Sequence, residues 1–211
     1  MQQRNVDLPN GSSATLLYLH EYQQAKTLGL PVIWLQIRKL KRVLWEEQYK
    51  AMLDRLTASF AQCLCGMKGH EADVVLLPAS GSRLFDPYVA KLQEMTPGVS
   101  VYSLFTKPQE FEAGVDHKNY NTVFDNTMLD ADVPDNVIAA RTILIIDDIF
   151  NTGNTPAAML ARLLPRMKCK TPAITIACVL YVAVENTING NDGDNEFEWQ
   201  ATMHRILAEE E

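Results

Sequence analysis

An α/β fold, an open parallel sheet with helices on both faces, is predicted by three features of the chain's patterning. Residues 73–77 (Asp-Val-Val-Leu-Leu) and 143–146 (Ile-Leu-Ile-Ile) are short, β-branched apolar runs without alternation, as expected of strands buried on both faces. Each ends in a turn of small or polar residues and leads into a stretch with apolar side chains at three- and four-residue steps, the strand–turn–helix order of parallel crossovers. A third apolar run, 173–184, follows the later of these helices as a last core strand. With 211 residues, 47% of them hydrophobic, one domain can bury a substantial core, and neither an internal repeat nor a dividing linker is present.

Taken in order, residues 15–19 and 32–37 read as strands joined by a polar turn, and a long helix follows. There Tyr49, Met52, Leu53, Leu56, Phe60 and Leu64 recur on one face, Glu46 precedes Lys50 by four, and Gly66 can end the pattern. After the strand at 73–77 come Pro78, Ala79, Ser80, Gly81, Ser82 and Arg83, small residues closed by a cation, then an amphipathic helix for which Asp86 and Pro87 offer an N-cap and first position. Such a loop is an ordinary strand-to-helix turn as well as an anion cradle, and Arg83 would serve equally on a solvated helix face. Residues 99–104 form a further strand. The long stretch from 105 to 141 carries Lys107, Gly114, Lys118 and Tyr120; loops of such length in compact domains are usually lids or disordered, and 121–129 reads as a short edge strand.

The strand at 143–146 is the most informative, because it delivers Asp147 and Asp148 to solvent at its carboxyl end and then turns through Asn151, Thr152, Gly153, Asn154 and Thr155. Small residues there can aim successive amides at one point and add two hydroxyl donors for an anion. Thr155 reads as an N-cap and Pro156 as the first helical residue, and Met159, Leu160, Leu163 and Leu164 give the helix one apolar face until Pro165. A phosphate would sit at that helix's positive end. The residue types fit a sugar phosphate: a ribose diol offers donors and wants carboxylates, whereas a phosphate wants donors at close range. Neither a Walker-type phosphate loop nor a G-x-G-x-x-G dinucleotide fingerprint occurs.

The segment 143–155 resembles the PRPP (phosphoribosyl pyrophosphate) motif of the type I phosphoribosyltransferase family: hydrophobic residues, two acids, four variable or small positions and a closing Thr-Gly-x-Thr. The resemblance implies that Asp147 and Asp148 accept from the ribose hydroxyls and that Asn151, Thr152, Gly153, Asn154 and Thr155 wrap the 5-phosphate. It implies that Ala79, Ser80, Gly81, Ser82 and Arg83 hold pyrophosphate, and that a lid after the second core strand brings a cation, Lys107 or Lys118, to that leaving group. The implied core, about 70–184, has strand order 3-2-1-4-5, so both loops share one ligand. Parts of 14–40 and 181–211 build a variable hood over the acceptor, the whole 211 residues forming a single domain. The implied reaction moves ribose 5-phosphate to a nitrogen acceptor and releases pyrophosphate, with Mg²⁺ held mainly by substrate and water. Family members are mostly homodimers. Members that use 6-oxopurines place an acid where this chain has Asn151, which puts those acceptors in doubt. Proteins of this fold that bind PRPP or nucleotides as regulators provide the alternative, a catalytically weak or silent sensor.

Composition bounds the remaining classes. A net charge of −7 disfavours non-specific nucleic-acid or anionic-membrane binding, so a polyanionic substrate must be met by local cations, helix ends and Mg²⁺. No apolar run reaches membrane-spanning length and residues 1–13 lack the regions of a secretion signal, so a cytoplasmic enzyme is expected. Cys63, Cys65, Cys169 and Cys178 have no metal-site spacing and read as reduced, packed thiols. Residues 189–196 lack the Gly at the sixth position and the closing Glu of a calcium loop and read as a hairpin tip, and Trp199 is more often a core or interface residue than a base-stacking one.

Overall fold

The computed structural model of the protein describes residues 2–22, 72–79, 85–108 and 119–182. The strand expected at 32–37, the long helix after it and the region from 183 onward lie outside them. The chain begins with a hairpin, β1 (Gln2–Asp7) and β2 (Ser13–Tyr22), with Asp7 opposite Ser13. Gly11 turns it at φ 81°, and the Leu8 amide donates to Ser12 O at 2.8 Å. There follow β3 (Val74–Leu76), α1 (Phe85–Met95), β4 (Val101–Tyr102), β5 (Phe105–Thr106), α2 (Tyr120–Asp125), β6 (Met128–Leu129) and α3 (Asp135–Ala139). Last come β7 (Thr142–Phe150), α4 (Asn154–Leu163), a 3₁₀ turn at Leu164–Arg166 and β8 (Ala173–Val182).

Six strands form one sheet in the order β1-β2-β8-β7-β3-β4, and every pairing except β1 with β2 is parallel. This is the expected α/β sheet, and it follows from apolar runs that bury both faces. Ile143 and Ile145 of β7 belong to one core with Leu16, Leu76, Ile176 and Leu160 of α4, while Leu144 and Ile146, pointing the other way, are buried too. Of the residues expected to form a hood, 14–22 lie in β2, paired with β8 from Thr15 opposite Thr175 to Tyr22 opposite Val182. No strand beyond β4 is found among the described residues.

Winding reverses between β3 and β7. The chain passes from β3 outward to β4 on one side and from β7 outward to β8 on the other, so the carboxyl ends of β3 and β7 lie side by side where open sheets take ligands. The opposite end of this pair is clasped. Asp73 Oδ2 accepts from the amides of Arg141 (2.7 Å) and Thr142 (2.9 Å), and the Asp73 amide donates back to Thr142 Oγ1 at 2.8 Å. These amide donors hold the Asp73 carboxyl below its ordinary pKa.

The stretch expected as a structureless lid is built otherwise. Residues 121–129 are not an edge strand throughout: Asn119 Oδ1 caps the first turn of α2 by accepting from the Asn121 amide at 2.9 Å, and only Met128 and Leu129 are extended. They pair antiparallel with β5, Phe105 opposite Leu129, as a separate two-stranded ribbon. The helix forms because the cap satisfies an amide that otherwise has no partner, and Val123 on its inner face is buried. Only 109–118 of the expected lid lie outside the described residues. Among the described residues no helix is long and apolar enough to cross a membrane.

Candidate functional site

At the carboxyl end of β7 the structure corrects two expectations. The strand does not stop at Ile146 but runs through both acids to Phe150, so Asp147 (9% exposed) and Asp148 (4%) lie inside the sheet instead of in solvent. The reason is pairing: Asp147 sits opposite Cys178, Ile149 opposite Leu180 and Phe150 opposite Tyr181, so β8 carries the ladder past the acids. Each carboxylate is tied to the next main-chain amide, Asp147 Oδ1 to Asp148 N–H at 2.9 Å and Asp148 Oδ1 to Ile149 N–H at 2.8 Å.

The second correction concerns the helix start. Thr155 is not the N-cap and Pro156 not the first helical residue; α4 opens at Asn154, its N-cap is Gly153 in the left-handed conformation (φ 73°, ψ 12°), and Pro156 stands third. The shift costs nothing in hydrogen bonding, because none of a helix's first amides has an intrahelical acceptor. Gly153 is required twice over. Its φ disfavours any side chain, and a Cβ there would come 2.9 Å from Leu8 Cδ2 and 3.0 Å from Phe150 Cζ. The Asn154 amide meets Thr152 Oγ1 at 3.4 Å and the Ala157 amide closes the first turn onto Gly153 O at 3.0 Å. Among the described residues, the amides of Thr152, Gly153 and Thr155 donate no backbone hydrogen bond. They stand at the positive end of α4, with donor capacity for an anion.

Of the other sequence-predicted residues, Ala79 follows β3 and is half-buried against the core, next to Pro78, which is buried. Lys107 follows β5 and is half-buried. Ser80, Gly81, Ser82, Arg83 and Lys118 lie outside the described residues. What the structure brings together, then, is the end of β3 with the acids and turn of β7.

Several neighbours of this turn carry no motif. Cys178 is fully buried opposite Asp147, and burial first, then the Asp147 charge, pushes its thiol pKa well above the ordinary value. It is therefore a protonated packing group. Tyr181 is buried among aromatic rings, 5.1 Å from Tyr18 and 6.3 Å from Phe150, with the Arg4 guanidinium 4.7 Å from its centroid. Burial, followed by the charge of Glu21, raises the Tyr18 hydroxyl, which donates to Glu21 Oε2 at 3.4 Å. Only the folded packing reveals these neighbours; Leu8 comes to Gly153 from a hairpin turn 145 residues earlier in the chain.

The chain matches no model of a known protein family and no curated protein.

Proposed function

We propose that the protein is a phosphoribosyltransferase that moves ribose 5-phosphate from PRPP to a nitrogen acceptor and releases pyrophosphate. The observation that carries this reading is a pair of adjacent carboxylates buried in β7, shortly before a turn in which Gly153 admits no side chain without strain and the amides of Thr152, Gly153 and Thr155 donate no backbone hydrogen bond among the described residues. Burying two neighbouring acids is costly, and packing alone gives no reason for it. A bound ribose would. Its two hydroxyls donate to carboxylates whose desolvation strengthens the bond, while the 5-phosphate takes the donors of Thr152, Gly153 and Thr155.

In this reading β3 and β7 correspond to the first and fourth strands of a type I phosphoribosyltransferase core, β4 and β8 to its second and fifth, and the order β4-β3-β7-β8 fits that assignment. Ala79, Ser80, Gly81, Ser82 and Arg83 would then meet the pyrophosphate, with Lys107 or Lys118 as a further cation. Mg²⁺, carried on the diphosphate oxygens, supplies neutralisation of the leaving group's charge when bound. Asp147 and Asp148 are assigned to the ribose side of such a complex because both acids lie in β7 beside the winding reversal. The transition state has oxocarbenium character, so the chain's tasks are to grip the ribose, orient the acceptor and exclude water. Asn151 stands where a proton-transferring acid would serve an oxopurine, and an amide cannot replace it.

Calorimetry with PRPP and Mg²⁺ tests the assignment. Asp147→Asn and Asp148→Asn should each weaken binding by about 1–3 kcal/mol, the range for hydrogen bonds to a charged group. Unchanged affinity in the double variant would remove the ribose from this site. Pyrophosphate release across a panel of bases and amines then separates a transferase from a sensor that binds PRPP without turnover.

A further inference from the structure

A cleft lies at the other end of α4. Met128 and Leu129 of β6 face Arg162 in the last turn of the helix and Arg166 in the 3₁₀ turn beyond it, lining an open cleft of about 480 Å³. That volume falls in the range of small-molecule sites. Its walls differ in character. Met128 is the exposed large hydrophobic residue among the described residues, at 48%, whereas Arg162 and Arg166 are the charged residues of the lining.

Both arginines are held by main-chain oxygens. Arg162 Nη2 donates to Phe124 O at 3.0 Å, its guanidinium lies 3.8 Å from the Phe124 ring centroid, and its Nε is buried without a hydrogen bond. Arg166 Nη1 donates to Asp130 O (3.2 Å) and Ala131 O (2.8 Å). Among the described residues, neither forms an ion pair, and no acceptor bonds Arg162 Nη1 or Arg166 Nη2. Fixed guanidinium groups with spare donors favour a planar or tetrahedral oxyanion, because their positions are set before the ligand arrives. The exposed thioether of Met128 favours an apolar group.

We propose that this cleft binds a small organic anion, one phosphate or carboxylate held by Arg162 and Arg166 with an apolar body against Met128 and Leu129. The ten residues of α4 span roughly 15 Å, so this site stands apart from the turn at Gly153 and does not depend on the function proposed for that turn.

The test uses the full chain labelled with ¹⁵N, titrated with phenyl phosphate and, separately, benzoate. Either anion should shift the amides of 128–131, 162–164, 166 and 167, and inorganic phosphate and benzyl alcohol, which each lack one half of the ligand, should bind at least about tenfold more weakly. Arg166→Gln should weaken binding about tenfold, and so should Met128→Glu, which sets a carboxylate in the cleft. Arg162→Gln also disturbs packing on Phe124, so the exposed Met128 site provides the variant whose fold is safe. Shifts confined to 151–156, equal affinity for inorganic phosphate, or affinity unchanged in both variants would overturn the proposal.

Discussion

At the scale of the residue, Gly153 and Gly11 form an internal comparison. Both have positive φ, 73° and 81°, but a Cβ at Gly11 meets nothing within 4 Å, whereas at Gly153 it meets Leu8 and Phe150 at 2.9 and 3.0 Å. The left-handed conformation alone costs an L-residue about 1–2 kcal/mol. Gly11→Ala should therefore lose about that much stability in urea denaturation. Gly153→Ala should lose at least about 1 kcal/mol more, because Leu8 and Phe150 are themselves buried and must shift to admit the methyl group. Equal losses would mean that the turn gives way easily and that its amides are not rigidly aimed. The buried acids belong to the same scale: two carboxylates that β8 draws into the sheet are a local cost, and local costs collect at functional sites.

At the scale of the element, the strand pair β3–β7 is fastened at the end remote from the candidate site by Asp73. Two amides donate to its carboxylate, which lowers its folded pKa below the ordinary 3.8. A group with a depressed folded pKa contributes stability that is fully present above the unfolded value and is lost as pH falls through the folded one. Wild type should thus exceed Asp73→Ala in stability at pH 6, and the difference should shrink as pH falls below about 4, read from urea midpoints across that range. A gap that holds in strong acid would mean the carboxylate's charge contributes nothing. Legibility also divides at this scale. The strands at 15–19, 73–77 and 143–146 were readable because short apolar runs bounded by polar or turn residues have one common use, and Pro165 marked the end of α4. The helix at Tyr120–Asp125 was hidden, since Thr122 and Val123 favour strands and only the Asn119 cap and the burial of Val123 tip the balance. For the site, the acids and the turn were visible as a motif, but their burial was not. It comes from β8, whose register sets Cys178 and Tyr181 beside them. Thr155 and Pro156 make a good sequence signal for a helix start, and the structure begins α4 earlier because Gly153 can adopt the left-handed cap that no other residue of the turn accepts as cheaply.

At the scale of the whole molecule, the sheet's winding and the chain's charge bear on one measurement. A polyanion approaching a protein of net charge −7 is repelled at long range, so its binding must come from the helix N-terminus, a few cations and the metal it carries. If the site at the β3–β7 reversal binds PRPP as proposed, ligand at 100 times its dissociation constant adds about 2.7 kcal/mol to unfolding, because only the folded chain joins the two strand ends. For a chain near 200 residues that is a rise of roughly 5–11 °C in Tm. With Mg²⁺ and PRPP together the full rise is expected; with PRPP and EDTA it should largely vanish, since the diphosphate charge is then unscreened. Asp147→Asn with Asp148→Asn should lower the rise while leaving the response to phenyl phosphate at the Arg162–Arg166 cleft intact. A rise that survives both EDTA and the double variant would locate the ligand elsewhere than the turn after β7.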